Sequence, residues 1–289
     1  MVADLVAGEW ASRAPGGPAL FGRSWRPPTS PRASILIVHG LAEHSGRYAA
    51  TAAALTGAGF GVHAVDYRGH GKSEGGRVHV DDVDEYVSDV RAALEQVRRH
   101  DPALPVFLLG HSQGGLVALK LALDDPGATC GLVVTSPFLA VHPSSRPSAG
   151  IRALAKVMLR LAPRLPMPTH IDARLLSRDP AAAEAYARDP LVSRAASAGW
   201  LRAIGRAQRD VRRGAPRLRV PTLMINGHDD FLYLVDSQQK PLFDLLGAPR
   251  DMKKHVVLDG VGHMPPPRAD VIREVLAWFD TYLGPVERR

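Results

Sequence analysis

Residues 105–124 read Pro-Val-Phe-Leu-Leu-Gly-His-Ser-Gln-Gly-Gly-Leu-Val-Ala-Leu-Lys-Leu-Ala-Leu-Asp, and few chain paths are open to such a stretch. A strand-length apolar run meets Gly-x-Ser-x-Gly and passes directly into an apolar pattern of helical period. A strand that enters a helix through so short a turn must bend sharply. Glycine at 110, 114 and 115 removes the Cβ atoms that would collide where strand and helix pass. The bend lifts the hydroxyl of Ser112 above the sheet and leaves the Gln113 amide at a helix N-terminus, aimed at an incoming carbonyl oxygen. The five-residue pattern is weak by itself in a chain with 27 glycines. Its flanking strand and helix make Ser112 a candidate nucleophile and Gln113 a candidate oxyanion donor.

The rest of the chain supplies a sheet around that stretch. Residues 33–39 form a continuous, largely β-branched run of the kind buried on both faces of a parallel sheet. A loop, a helix over 48–58, a strand over 61–66, a Gly-rich loop over 67–75 and an amphipathic helix over 81–100 follow in turn. Strands and helices alternating at these spacings predict right-handed crossovers and a parallel sheet. Further strands are expected over 130–135, 222–226 and 255–258, with a closing helix over 270–283 and an edge hairpin near 19–25. More than eighty residues separate Thr135 from Thr222, too many for one crossover. The chain therefore divides into a core over 1–136, an inserted helical cap over 137–219 and the rest of the core over 220–289. Within the insertion a helix over 148–161 puts Ile151, Leu154, Val157, Met158 and Leu161 on one side, and further helices lie around 181–187 and 194–213. A cap at this place lies over the C-terminal edge of the sheet, where Ser112 is exposed, and would roof an apolar pocket.

Composition narrows the partners. With 289 residues, 45% of them hydrophobic, the chain buries a full core. No stretch approaches a membrane span, and the N-terminus lacks a basic start and an apolar core, so a cytoplasmic protein is expected. Cys130 is the only cysteine and sits in an apolar run, which predicts a buried structural thiol. The twelve histidines show no metal-ligand spacing, so neither metal nor cofactor is expected. Of the net charge of +7, residues 151–219 carry fifteen basic and five acidic side chains, a local +10 that leaves −3 for the remainder. The absence of a recognised motif and of interleaved aromatics argues against nucleic acid. An anionic membrane surface fits the basic segment, as does a solvated face pairing with Asp172, Asp179, Glu184, Asp189 and Asp210.

A nucleophilic serine needs a base and an acid that orients it. On a strand-turn-helix elbow of this kind they follow in the order Ser, acid, His. Two loops after late strands offer them: Asn226-Gly-His228-Asp229-Asp230-Phe and Leu258-Asp259-Gly-Val-Gly-His263-Met. His263, after the final strand, is the candidate base, with His255 and His228 as alternatives. Asp230 is chosen as the acid over Asp229 and Asp236, because adjacent carboxylates point in different directions and only one can accept from the imidazole. Asp259 is read as capping a turn. The second oxyanion donor is expected at the amide of Leu41, after the 33–39 strand. Glu43 and Arg47 on the same loop either pair with each other or act near the leaving group.

His39-Gly-Leu-Ala-Glu-His-Ser-Gly-Arg-Tyr48, Asp66-Tyr-Arg-Gly-His-Gly-Lys-Ser-Glu-Gly75, Gly110-His-Ser-Gln-Gly-Gly115 and Leu176-Ser-Arg-Asp-Pro180 followed by Asp189-Pro-Leu191 resemble the monoacylglycerol lipase/lysophospholipase family of α/β-hydrolases over roughly residues 20–225. The resemblance implies an α/β-hydrolase fold, mostly parallel sheet flanked by helices with an inserted helical cap. It also implies cleavage of a single-acyl ester through an acyl-serine intermediate. By it, Ser112, Asp230 and His263 match the family's triad, and Leu41 and Gln113 its oxyanion hole. Glu43 and Arg47 fall where the family handles the polar head group, and His111 is a further candidate for binding substrate. Gln113 replaces the more usual Met, and from Asn226 onward the sequence looks more like a different branch of α/β-hydrolase esterases. A short-chain carboxylesterase or thioesterase, and a cofactor-free haloperoxidase or C–C hydrolase of the same fold, remain open, whereas a non-catalytic binding protein would need a broken triad and this one is complete. Oligomeric state is not readable.

Overall fold

The computed structural model describes residues 6–140, 148–169, 172–177, 179–230, 232, 235–263 and 267–283. In chain order the elements are β1 Val6–Arg13, β2 Ala19–Arg26, β3 Ser34–Val38, α1 Ala49–Gly57, β4 Gly61–Asp66, α2 Asp84–His100, β5 Val106–His111, α3 Gln113–Asp124, β6 Gly131–Thr135, α4 Ala149–Leu161, β7 Pro166–Pro168, α5 Ala173–Leu176, α6 Pro180–Arg188, β8 Ala195–Ser197, α7 Ala198–Gly214, β9 Thr222–Gly227, α8 Lys240–Leu245, β10 Lys253–Leu258 and α9 Ala269–Leu283. Eight strands form one sheet in the order β1-β2-β4-β3-β5-β6-β9-β10. The six from β4 to β10 are parallel, and β1 and β2 join antiparallel at one edge. This is the α/β-hydrolase architecture expected.

The central strands are apolar throughout because both faces are covered. Along β5, Leu108 packs with α2, α3 and α7, while Phe107 and Leu109 turn to the opposite face with α1 and α9. Side chains alternate across a strand, so two buried faces require an unbroken apolar run. Helix α2 starts at Asp84, three residues later than expected, because the Glu85 carboxylate takes the amides of Asp81 and Asp82 at 2.8 and 3.3 Å. The helix then buries Tyr86, Val87, Val90, Ala93, Leu94 and Val97 along one face.

Two expectations are corrected at the strands. The edge hairpin is larger than residues 19–25 suggested: β1 pairs with β2 from Val6↔Arg26 to Arg13↔Ala19. Its sequence has only a broken alternation, which hid it. Cys130 is exposed, not buried. Strand β6 begins one residue later, and the Cys130 amide bonds to the Val106 carbonyl at the sheet's N-terminal edge.

Between β6 and β9 lie α4 to α7 and the two-stranded β7-β8 pair. Helix α7 buries Trp200, Ala203, Ile204, Ala207 and Val211 in the same apolar cluster as β5 and α3. Helix α4 behaves otherwise: Ile151, Leu154, Val157 and Leu161 are 58%, 58%, 49% and 79% exposed, so its apolar stripe faces solvent.

Candidate active site

Parallel strands of one sheet end at a common edge, and the residues just past β3, β5, β9 and β10 meet there. Ser112 follows β5 with φ 52° and ψ −116°, a conformation that a non-glycine residue holds only where its surroundings impose it. Its amide donates to the Thr135 carbonyl at 3.0 Å, and its carbonyl accepts from Leu116 and Phe138 at 3.2 and 2.9 Å. Glycine is required beside it. A Cβ on Gly114 would lie 2.0 Å from the Val38 oxygen, and one on Gly110 2.6 Å from the Gly114 oxygen.

His263 Nε2 lies 3.0 Å from Ser112 Oγ, and His263 Nδ1 lies 2.9 Å from Asp230 Oδ2. A carboxylate only accepts, so Nδ1 carries the ring proton and Nε2 turns its lone pair to the serine hydroxyl. All three residues are buried, and the Leu232 amide donates to Asp230 Oδ1 at 2.9 Å. The alternatives are all more exposed than these three. Asp236 is exposed, and Asp229 is half-buried with its amide on the Val261 carbonyl. His255 Nε2 is 2.9 Å from Asn226 Oδ1, and the His228 side chain is 67% exposed near Asp259.

Gln113 opens α3. Leu41 follows Gly40, where an added Cβ would sit 3.2 Å from Ser112 Cβ, so this loop lies directly against the serine. Glu43 and Arg47 pair at 3.5 Å, and Glu43 Oε1 is 3.8 Å from His111 Nε2. His111 Nδ1 is 3.0 Å from Thr135 Oγ1, and its ring is 5.1 Å from that of His263. Burial pushes the Glu43 carboxyl up from its ordinary value, against the opposing pull of Arg47. Burial, with the neighbouring His263, holds His111 well below the usual histidine range. A cavity of about 420 Å³ opens here, walled by Glu43, Arg47, Tyr48 and His111 on one side and by Val271 and Val275 of α9 on the other.

Reasoning from sequence missed how the segment between β6 and β9 reaches this cavity. Asp189, expected to pair with arginines of its own segment, instead meets His44 Nε2 at 2.8 Å and Arg47 at 3.9 Å. Burial opposes ionisation of Asp189, but the His44 hydrogen bond and the Leu191 amide hold its carboxyl below its ordinary value. The Arg47 guanidinium lies 4.8 Å over the ring of Tyr186 in α6. The Asp189-Pro-Leu191 motif was the available signal, but nothing in it named its partner. Among the described residues, no group of three or more His, Cys, Asp or Glu side chains is arranged to hold a metal ion.

The sequence profile of the family described as "serine aminopeptidase, S33" matches residues 29–265. The chain is 36% identical to human monoglyceride lipase over 272 residues, covering 91% of this chain and 87% of that one. It is 33% identical to the monoacylglycerol lipase of Mycolicibacterium smegmatis over 269 residues, covering 93% and 95%. Among solved structures, the monoacylglycerol lipase of Paleococcus ferrophilus superposes with a TM-score of 0.76 at 30% identity, covering 96% of this chain and 99% of that one. The match to the family thus runs past Asn226. Fold, elbow and full-length relatives agree that the chain belongs to the monoacylglycerol lipase family, within the serine aminopeptidase S33 group of α/β-hydrolases.

Proposed function

We propose that this protein is a serine hydrolase of monoacylglycerol-type lipid esters, with Ser112, His263 and Asp230 as its triad. The observation that carries the reading is the buried hydrogen-bonded line from Asp230 through His263 to Ser112. The proton of Ser112 passes to His263 Nε2 as Oγ attacks the acyl carbon, while Asp230 stabilises the imidazolium. The amides of Leu41 and Gln113 hold the oxyanion. His263 then returns the proton to the leaving alcohol, water repeats the attack on the acyl-serine, and the fatty acid departs. Glu43, Arg47 and His111 receive the hydroxyl-bearing head group in the adjoining cavity, with Asp189 and Tyr186 fixing Arg47 from residues 137–219, which we read as a cap.

The cap also supplies a membrane-facing surface. Supporting this are the exposed stripe on α4, the exposed Leu165 and the excess of basic residues in the segment. Apolar side chains beside cations are what a peripheral helix presents to an anionic interface. Some of these cations are engaged: Arg206 pairs with Asp82 at 3.1 Å, and Arg164 and Arg202 with Asp81 at 3.6 and 3.8 Å. The side chains of Arg152 and Lys156 lie outside the described residues. No described helix is long and apolar enough to cross a membrane.

Monoacylglycerols and p-nitrophenyl esters of matched chain length test the substrate. Each buried methylene contributes up to about 0.8 kcal/mol, so kcat/KM is expected to climb several-fold per pair of carbons until the pocket fills. A maximum at acetate or butyrate would favour the short-chain esterase reading.

A further inference from the structure

Gln113 is wholly buried, and its side chain lies between Trp200 and Tyr67. Trp200 Nε1, on α7, is 2.7 Å from Gln113 Oε1, and Gln113 Nε2 is 2.8 Å from the Tyr67 hydroxyl. An indole N–H only donates, so the amide oxygen must face Trp200 and the NH₂ must face Tyr67. The Tyr67 oxygen therefore accepts, and its single proton goes onward to the carbonyls of His39 and Gly40, at 2.9 and 3.2 Å. His39 Nδ1 lies 2.8 Å from that same Gly40 oxygen, and its ring stacks on Tyr67 with centroids 4.1 Å apart. The line of donors runs one way, from the tryptophan of α7 to the Gly40 carbonyl. A trans peptide is planar with C=O and N–H opposed, so whatever fixes the Gly40 oxygen also fixes the direction of the Leu41 N–H.

We propose that Gln113 is a positioning residue: its side chain, held by Trp200 and passing the constraint through Tyr67, sets the plane of the Gly40–Leu41 peptide and so aims the Leu41 amide at the oxyanion. The proposal rests on the reading of Ser112 as nucleophile and Leu41 as oxyanion donor. It gives Gln113 two roles, its backbone amide binding the oxyanion and its side chain orienting the other donor. It also explains why a polar residue stands where the family more usually has Met. A buried amide costs free energy unless both ends are bonded, and here Trp200 bonds the oxygen and Tyr67 the nitrogen. The seating of α7 is thereby coupled to the oxyanion hole, and oxyanion donors act on the transition state more than on bound substrate.

The test compares Tyr67→Phe, Gln113→Met, Trp200→Phe and the Gln113→Met/Tyr67→Phe double variant. For each, kcat and KM on p-nitrophenyl butyrate, thermal midpoint and affinity for a trifluoromethyl ketone are measured. Deleting an oxyanion donor outright costs about a hundredfold or more; a mis-aimed donor is expected to cost about tenfold in kcat with KM within about twofold. Ketone affinity should fall in parallel, since that adduct places its oxyanion in the same site. The double variant should lose no more than the worse single one, because both changes cut one line. Trp200→Phe keeps a ring in place and should show a smaller loss of the same kind, so it carries the test if Gln113→Met lowers the midpoint below assay temperature. Unchanged kcat in Tyr67→Phe, or losses that multiply in the double variant, would overturn the proposal. Ser112→Ala, assayed alongside, separates the two readings. Activity surviving there removes the nucleophile itself, whereas a dead Ser112→Ala with fully active relay variants removes only the relay.

Discussion

A methyl group added to Gly114, in α3, would meet the Val38 carbonyl oxygen at 2.0 Å, whereas one added to Gly150, in α4, meets nothing within 4 Å. The two helices stand for two differently packed regions of the molecule. Around Ser112 the backbone passes itself so closely that residue identity is dictated and the reacting groups have no freedom. Over residues 137–219 the chain keeps an apolar stripe in solvent on α4, buries one face of α7 in the core, and reaches the site through Asp189 with His44 and Trp200 with Gln113.

The largest effect expected is at the packed edge. Ser112→Ala, His263→Ala and their double variant should each lose kcat by about five or more powers of ten, and by similar amounts, because the residues act as a unit. Asp230→Asn should cost about a thousandfold or more, with Asp229→Asn within a few-fold; the reverse pattern would move the acid to Asp229.

The same packing makes the core sensitive to acid. Burial lowers both His39 and His70 to about 3. Each stays neutral when folded and takes up a proton only on unfolding as pH falls below about 6.5. Stability from these residues is therefore complete above that pH and is lost toward pH 3, by about 1.4 kcal/mol per pH unit for each. Denaturant unfolding followed from pH 7 to 4 measures this, and the slope should shrink in His70→Asn; a flat profile would contradict the burial argument.

The first comparison also explains what the sequence disclosed. Ser112, Gln113 and the glycines were legible because a strand-turn-helix with that spacing has one steric solution. His263 and Asp230 followed from strand order, since loops after parallel strands share an edge. Asp189 and Trp200 were not legible as site residues, because their partners lie 145 and 87 residues away and no local period encodes such a pairing. The outward face of α4 was equally hidden: its amphipathic pattern predicts a stripe but not the side on which the protein lies. Strand β1 escaped because an edge strand needs only partial alternation, and Cys130 was misplaced by a single residue at a strand end.

Smaller effects sharpen the contrast. Gly114→Ala should cost about 3 kcal/mol or more, the penalty of overpacking rigid backbone. Gly150→Ala should stabilise by up to about 1 kcal/mol through helix propensity alone, and chemical denaturation of the pair reads both. Ile151→Asp with Leu161→Asp should weaken co-sedimentation with anionic vesicles while p-nitrophenyl butyrate turnover stays unchanged. Wild-type vesicle binding should weaken between low salt and 0.1 M ionic strength, where screening acts beyond about 10 Å. Equal binding to anionic and zwitterionic vesicles at low salt would remove the membrane-facing cap and leave the charges as a solvated face.

The central claim, that Ser112 is the nucleophile of a lipid-ester hydrolase, is tested most directly by titrating the protein with a fluorophosphonate and mapping the labelled peptide while monoacylglycerol hydrolysis is followed in the same samples. The account predicts one label per chain, on Ser112, with activity falling in proportion to labelling, and neither label nor activity in Ser112→Ala. Label on another residue, or hydrolysis that persists after Ser112 is fully modified, would contradict it.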